Sequence, residues 1–201
     1  MQHPLQYPIT LNFKIAALAP QISATDASGR EILYVRQKLL KLRDKIHVFA
    51  DSSQSQELYE INADRILDFS ARFAFTDPQG RTVGGIQRQG MQSFWKATYD
   101  VQDAAGRDLY QIVEEQPWLK VIDYFVEEVP FVGIFAGYLF SPTYGVQSRA
   151  TGQTALRITK RRTFLARTFT IENLAGSLPE ADEIATLLGI LIMVLHERRR
   201  E

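Results

Sequence analysis

Apolar and polar positions alternate along most of this chain. Phe73 and Phe75 alternate with Arg72, Ala74 and Thr76; Trp95, Ala97, Tyr99 and Val101 alternate with Lys96, Thr98 and Asp100; Leu156 and Ile158 alternate with Arg157 and Thr159. A period of two, rich in β-branched and aromatic residues, predicts strands with one buried face. Strands are expected near residues 9–18, 20–26, 31–37, 45–51, 57–62, 66–76, 81–88, 93–102, 108–115, 143–149, 153–160 and 163–172.

A short motif recurs between them, as Thr25-Asp26-Ala27-Ser28-Gly29-Arg30, Thr76-Asp77-Pro78-Gln79-Gly80-Arg81 and Gln102-Asp103-Ala104-Ala105-Gly106-Arg107. A longer copy from Ala50 to Gln56 lacks the glycine, and one from Arg149 to Gln153 lacks the aspartate. The carboxylate can accept from turn N–H groups and glycine supplies a positive φ, so each copy is expected to close a hairpin. Calcium loops are disfavoured, because each copy offers one carboxylate where an EF-hand supplies several.

Two segments break the alternation. In the first, Trp118, Val121, Ile122, Phe125 and Val126 share one helical face opposite Lys120, Asp123, Glu127 and Glu128, which predicts an amphipathic helix after Pro117. Pro130 separates it from the apolar run Phe131–Phe140, and Pro142 closes an apolar insertion spanning about 117–142; helix and irregular loop both suit the second piece. The other segment is C-terminal. Ser177 and Glu180 have capping-box spacing, Pro179 sits in the first turn, and Glu180, Asp182 and Glu183 at the start and Arg198, Arg199 and Arg200 at the end suit the helix dipole. A helix is expected over about 178–198. Its middle is apolar on every side, with Ile184, Leu187, Leu188, Leu191 and Leu195 on one face and Ile190, Ile192, Met193 and Val194 on the others. Such a helix must be enclosed all round.

Nearly everything available to enclose it is β. Eight strands make a barrel filled by its own side chains, whereas a helix about 10–12 Å across needs a wider one. The expected fold is therefore mainly β: a closed antiparallel barrel of about twelve strands around a hydrophobic C-terminal helix, with residues 1–201 as one domain.

The 201 residues include 23 basic and 23 acidic ones, a formal net charge of zero, which argues against a chain built to grip nucleic acid. There is no cysteine, hence no disulfide, thiolate nucleophile or Cys-based metal site. The N-terminal residues have no signal-peptide pattern. Val129–Phe140 and Ile184–Leu195 are 12 residues each, whereas a bilayer core needs nearer about 20, so no transmembrane span is expected. The expected location is cytoplasmic, with peripheral membrane attachment as the alternative.

With Glu31-Ile32-Leu33-Tyr34-Val35-Arg36-Gln37-Lys38, the Asp-x-x-Gly turns and the final hydrophobic helix in this order, the chain resembles the tubby C-terminal-like superfamily over roughly residues 10–196. Within it the resemblance is to LURP-one-related and bacterial tubby-like proteins of unknown function, with phospholipid scramblases more distant. It implies a twelve-stranded barrel threaded by a C-terminal helix. Tubby binds phosphoinositides through basic residues, but no position here matches one by one, so none is carried over.

Catalytic signatures are missing. His3, His47 and His196 have no metal-ligand spacing, and there is no nucleophile elbow, P-loop or dinucleotide fingerprint. Gly84-Gly85-Ile86-Gln87-Arg88-Gln89-Gly90 lies in a strand context that favours a bulge or close backbone approach. Glu114-Glu115 and Glu127-Glu128 are expected to be solvated. No catalytic residue, metal or cofactor is assigned. Basic residues cluster at Arg36, Lys38, Lys41, Arg43 and Lys45 and at Arg157, Lys160, Arg161, Arg162 and Arg167. Of these, Arg157, Lys160, Arg161, Arg162, Arg36 and Lys38 are candidates for binding an anion or lipid headgroup, Arg157 and Arg161 sharing an outward face; a solvated barrel exterior is the plainer reading. Phe131, Phe135, Tyr138, Leu139 and Phe140 either cap a barrel mouth or form an apolar contact. The functional expectation is a non-enzymatic barrel binding a ligand, an anionic lipid headgroup or a protein partner, with a membrane-associated, scramblase-like lipid-handling protein as the alternative.

Overall fold

The computed structural model describes residues 4–14, 21–36, 45–63, 72–89, 98–115, 142–162 and 166–199, with backbone alone at 161, 162, 166, 167 and 197–199. In chain order the strands are β1 (Ile9–Lys14), β2 (Gln21–Thr25), β3 (Glu31–Arg36), β4 (Ile46–Phe49), β5 (Glu57–Ala63), β6 (Arg72–Thr76), β7 (Thr82–Arg88), β8 (Thr98–Gln102), β9 (Asp108–Glu114), β10 (Thr143–Ser148), β11 (Thr154–Arg162) and β12 (Ala166–Asn173), followed by the helix α1 (Glu180–Arg199). Each strand pairs antiparallel with its sequence neighbours, and β12 pairs with β1 to close a twelve-stranded barrel. Closure follows from twelve short amphipathic strands and leaves no edge strand open. The helix expected after Pro117 and nearly all of the insertion at 117–142 lie outside the described residues.

The recurrent motif builds the hairpins at one end of the barrel. In the first, Asp26 N–H donates to Arg30 C=O and Gly29 N–H to Asp26 C=O, both at 2.9 Å, with Gly29 at φ 81°. Asp26 Oδ1 accepts from the N–H groups of Ser28 and Arg30 at 3.0 and 3.1 Å, while Oδ2 takes Arg30 Nε at 3.0 Å. Asp77–Arg81 and Asp103–Arg107 repeat this arrangement, with Nε–Oδ2 distances of 2.7 Å in both. The closing arginine is thus part of the turn, a role that spacing alone does not assign. One extra residue beside each of these three turns shifts the register, as in a type I turn with a glycine bulge. Because the barrel runs up and down, all five expected turns and the start of α1 share this turn end; Lys14, Arg36, Glu114, Arg162 and the last turn of α1 mark the far end.

Helix α1 fills the interior. Ala185, Leu187, Leu188 and every residue from Ile190 to Leu195 are buried, meeting inward side chains such as Leu11, Phe75, Val101, Ile112 and Ile158. The helix begins at Glu180, with Glu183 N–H bonded to Pro179 C=O at 2.9 Å, so Pro179 rather than Ser177 stands at the cap; a residue without an N–H loses nothing there. Two glycines set how close helix and wall come. A Cβ on Gly84 would lie 2.8 Å from Ala185 Cβ and 2.7 Å from Gln102 O, and one on Gly189 would lie 3.0 Å from Val101. Close backbone approach therefore explains the Gly84-Gly85 pair, as expected from the strand context.

Candidate functional site

With the interior occupied, the surfaces open to a ligand are the outer wall and the two ends. On the outer wall, β4, β5 and the turn after β6 enclose a concavity of about 300 Å³ lined by His47, Glu57, Glu60, Thr76, Asp77, Pro78 and Gly80. His47 and Glu60 are register partners, and His47 Nδ1 lies 2.9 Å from Glu57 Oε1. Ligand atoms of His47, Glu57 and Glu60 come within 4.8 Å of one another, a set able to hold a divalent cation. As it stands, Lys45 Nζ contacts Glu60 Oε1 at 2.9 Å and supplies the positive charge. That contact, with a hydrogen bond from Asn62, holds the Glu60 carboxyl below the usual range.

The candidate cations separate on folding. Arg36 is exposed at the far end of β3, and Arg157 lies midway along β11, half-exposed, with Nε 3.4 Å from Glu115 on the outer wall. Lys160 is corrected: it is 1% exposed and faces inward, with Nζ 5.9 Å from the Phe169 ring centroid. The reason is alternation itself, since Leu156, Ile158 and Lys160 share the inner face while Arg157 takes the outer one. Arg161 pairs in register with Thr168, and Arg162 with Arg167. Lys38 and the apolar candidates Phe131, Phe135, Tyr138, Leu139 and Phe140 lie outside the described residues.

Strands β12, β1 and β2 separate β11 from β3, so the two basic clusters are not one strip. Sequence reasoning missed the residue between them, Lys14, which is exposed and follows inward Phe13. It pairs with Gln21, which pairs with Arg36, placing the two cations two strand spacings apart, about 10 Å. The alternation Leu11, Phe13 against Asn12, Lys14 was the available signal.

Two acidic groups are buried against expectation. Glu114, 2% exposed, joins Tyr99, Tyr144, Lys160 and the half-buried His196 on the inner side near the far end; His196 packs edge-on to Phe73 at 5.1 Å. Asp100 is 1% exposed, accepting from Gln89 Nε2, from Gln111 Nε2 at 3.0 Å and from Arg149 at 2.5 Å. These donors satisfy a carboxylate that would otherwise be costly to desolvate. At the turn end, Tyr7 donates to Glu183 Oε1 at 3.0 Å; burial first, then that carboxylate, pushes the phenol above its usual range. Burial also raises Glu183 despite the Tyr7 hydrogen bond, and raises Asp182, which feels the Asp103 charge as well.

The profile of the family described as LURP-one-related matches residues 31–186. Among solved structures, that of a protein from Arabidopsis thaliana is similar, with a TM-score of 0.49 and 15% identity, covering 94% of this chain and 93% of that one. No curated protein matches the sequence.

Proposed function

The chain belongs to the LURP-one-related family, and on that premise we propose a binding protein that carries out no chemistry of its own and meets an anionic ligand on the outside of the barrel. The observation that carries this reading is the filled interior: a helix buried on every side over Ile190–Leu195 takes the space in which other barrels hold a small molecule. We take the ligand to be a phosphate-bearing lipid headgroup at a membrane surface. Exposed Lys14 and Arg36 would meet it, with Lys38, Arg157, Arg161 and Arg162 adding charge and Phe131, Phe135, Tyr138, Leu139 and Phe140 adding apolar contact. No helix among the described residues is long and apolar enough to cross a membrane; the attachment we propose is peripheral, from a cytoplasmic pool.

The test is co-sedimentation with anionic and with neutral vesicles at low and high salt. Expected are binding to anionic vesicles only, loss in high salt, and weakening by Lys14→Gln with Arg36→Gln or by Phe135→Ser with Tyr138→Ser. Equal, negligible sedimentation of all proteins would remove the lipid from the reading and leave a protein partner. Movement of labelled lipid between leaflets by the protein would favour lipid handling.

A further inference from the structure

Strand register, not sequence spacing, assembles His47, Glu57 and Glu60. His47 lies on the outer face of β4 between buried Ile46 and Val48, and Glu60 lies opposite it on β5 between buried Tyr59 and Ile61. A bulge brings in the third member. Val48 pairs with Tyr59 but Phe49 pairs with Glu57, so Leu58 is the extra residue. In an unbulged ladder Leu58 would stand opposite Phe49; instead it packs against the core, and Glu57 takes the outward place with Oε1 2.9 Å from His47 Nδ1. The imidazole stacks on Phe49, with ring centroids 6.4 Å apart and planes at 30°, which restricts its orientation.

The distances suit one small cation. Two ligand atoms about 2.0–2.1 Å from a tetrahedral ion stand about 3.3 Å from each other. The His47–Glu57 pair is at 2.9 Å, and the ligand atoms of all three residues lie within 4.8 Å of one another, a gap that partly exposed glutamate side chains close by rotation. Asn62 Nδ2 donates to Glu60 Oε1 at 2.9 Å, an outer partner of the kind that orients a ligating carboxylate. Charge points the same way. Among the described residues the two carboxylates face a single ammonium, that of Lys45, because Asp77 beside them is engaged by Arg81. The Lys45 side chain is 61% exposed, so its ion pair contributes little and can yield to a cation.

We propose that His47, Glu57 and Glu60 bind a divalent transition-metal ion of the zinc class on the outer wall of the barrel. An imidazole beside two carboxylates favours zinc over magnesium and calcium, which take oxygen ligands throughout. Three protein ligands leave a fourth position for water or an anion, on the side of the concavity of about 300 Å³ that Thr76, Pro78 and Gly80 complete. The ion also ties β4 to β5. That matters for a strand of four residues that shares only two register pairs with β3. This goes beyond the lipid reading and needs no membrane.

The test is isothermal titration calorimetry of the full chain, stripped with chelator, against zinc chloride at neutral pH. Expected are saturation near one equivalent and a Tm that rises with zinc concentration by linkage. Asn62→Leu removes only the orienting donor and should weaken binding about tenfold, while His47→Gln and Glu60→Gln remove ligands and should weaken it further. Lys45→Gln should tighten binding several-fold, because the ammonium competes with the metal for Glu60. His3→Gln is the control for zinc held near the N-terminus and should bind like wild type. The side chains exchanged in the site are at least partly exposed, so melts in chelator should stay close to wild type and separate a lost ligand from a lost fold. A wild type without saturable binding overturns the proposal. So do binding unchanged in His47→Gln or Glu60→Gln, binding that Lys45→Gln does not tighten, and binding that His3→Gln abolishes.

Discussion

Replacing Gly84 with alanine tests how α1 is seated in the barrel. The new Cβ would stand 2.8 Å from Ala185 Cβ on the helix and 2.7 Å from Gln102 O on β8, distances that real carbon atoms do not adopt. Neither neighbour is the flexible end of a side chain, so helix and wall must part. Overpacking of a tight core costs about 1–3 kcal/mol, and the backbone at φ 154° adds strain for a residue with a side chain, about 1 kcal/mol more. A loss of about 2–4 kcal/mol is a large share of the roughly 5–15 kcal/mol that holds a domain together. In a chain of this size it lowers Tm by roughly 6–12 °C. Gly29→Ala is the control: it too has positive φ, at 81°, but nothing lies within 4 Å of its Cβ, so it should cost only the backbone part, about 1 kcal/mol. The assay is urea unfolding of both variants and of Gly84→Ala with Ala185→Gly. The second substitution removes the helix contact and should recover part of the loss, a coupling of about 0.5–2 kcal/mol between residues that touch. Equal destabilisation by Gly84→Ala and Gly29→Ala, or no coupling to Ala185, would refute the claim that these two glycine and alanine positions set the helix–wall distance.

Leu191→Arg places a charge at a fully buried helix position; the cost of several kcal/mol should leave little folded protein by circular dichroism at 25 °C. Asp103→Ala removes the acceptor for the Ala105 and Arg107 N–H groups and should lower Tm by a few degrees, whereas Asp103→Asn keeps that acceptor, loses only the bond from Arg107 Nε to Oδ2, and should lower Tm by less. The pH profile has two signs. Asp182 and Glu183 bind protons more tightly folded than unfolded, so Tm should rise as pH falls from neutral toward about 4. Asp26, Asp77 and Asp103 are held below the usual range by turn hydrogen bonds, with Ser28 and Arg30, Arg81, and Arg107, each against burial that opposes the shift and is the largest single effect at Asp77, so below about 4 their contribution is lost and Tm should fall. A profile that declines steadily from pH 7 to 4 would contradict the first half.

The periodicity of the chain determined the architecture because both of its signals are local. A side chain alternates faces every residue in a strand whatever the strand pairs with, and a helix apolar on all sides has to be enclosed. So the twelve strands, the Asp-x-x-Gly turns and the core helix were legible, and so was the close approach at Gly84. Tertiary structure decided what local signals do not contain. Lys160 read as one of a basic run until its register put it with Leu156 and Ile158 on the inner wall. Glu114 belongs inside for the same reason, and Asp100 is buried on the outer face because Gln89, Gln111 and Arg149, from three other parts of the chain, converge on it. Lys14 and Arg36 are 22 positions apart in sequence and flank a single residue, Gln21, in the sheet. The sum of charges is a property of composition and is zero; which residues share an end of the barrel is decided only once the up-and-down path brings every second strand end to the same side.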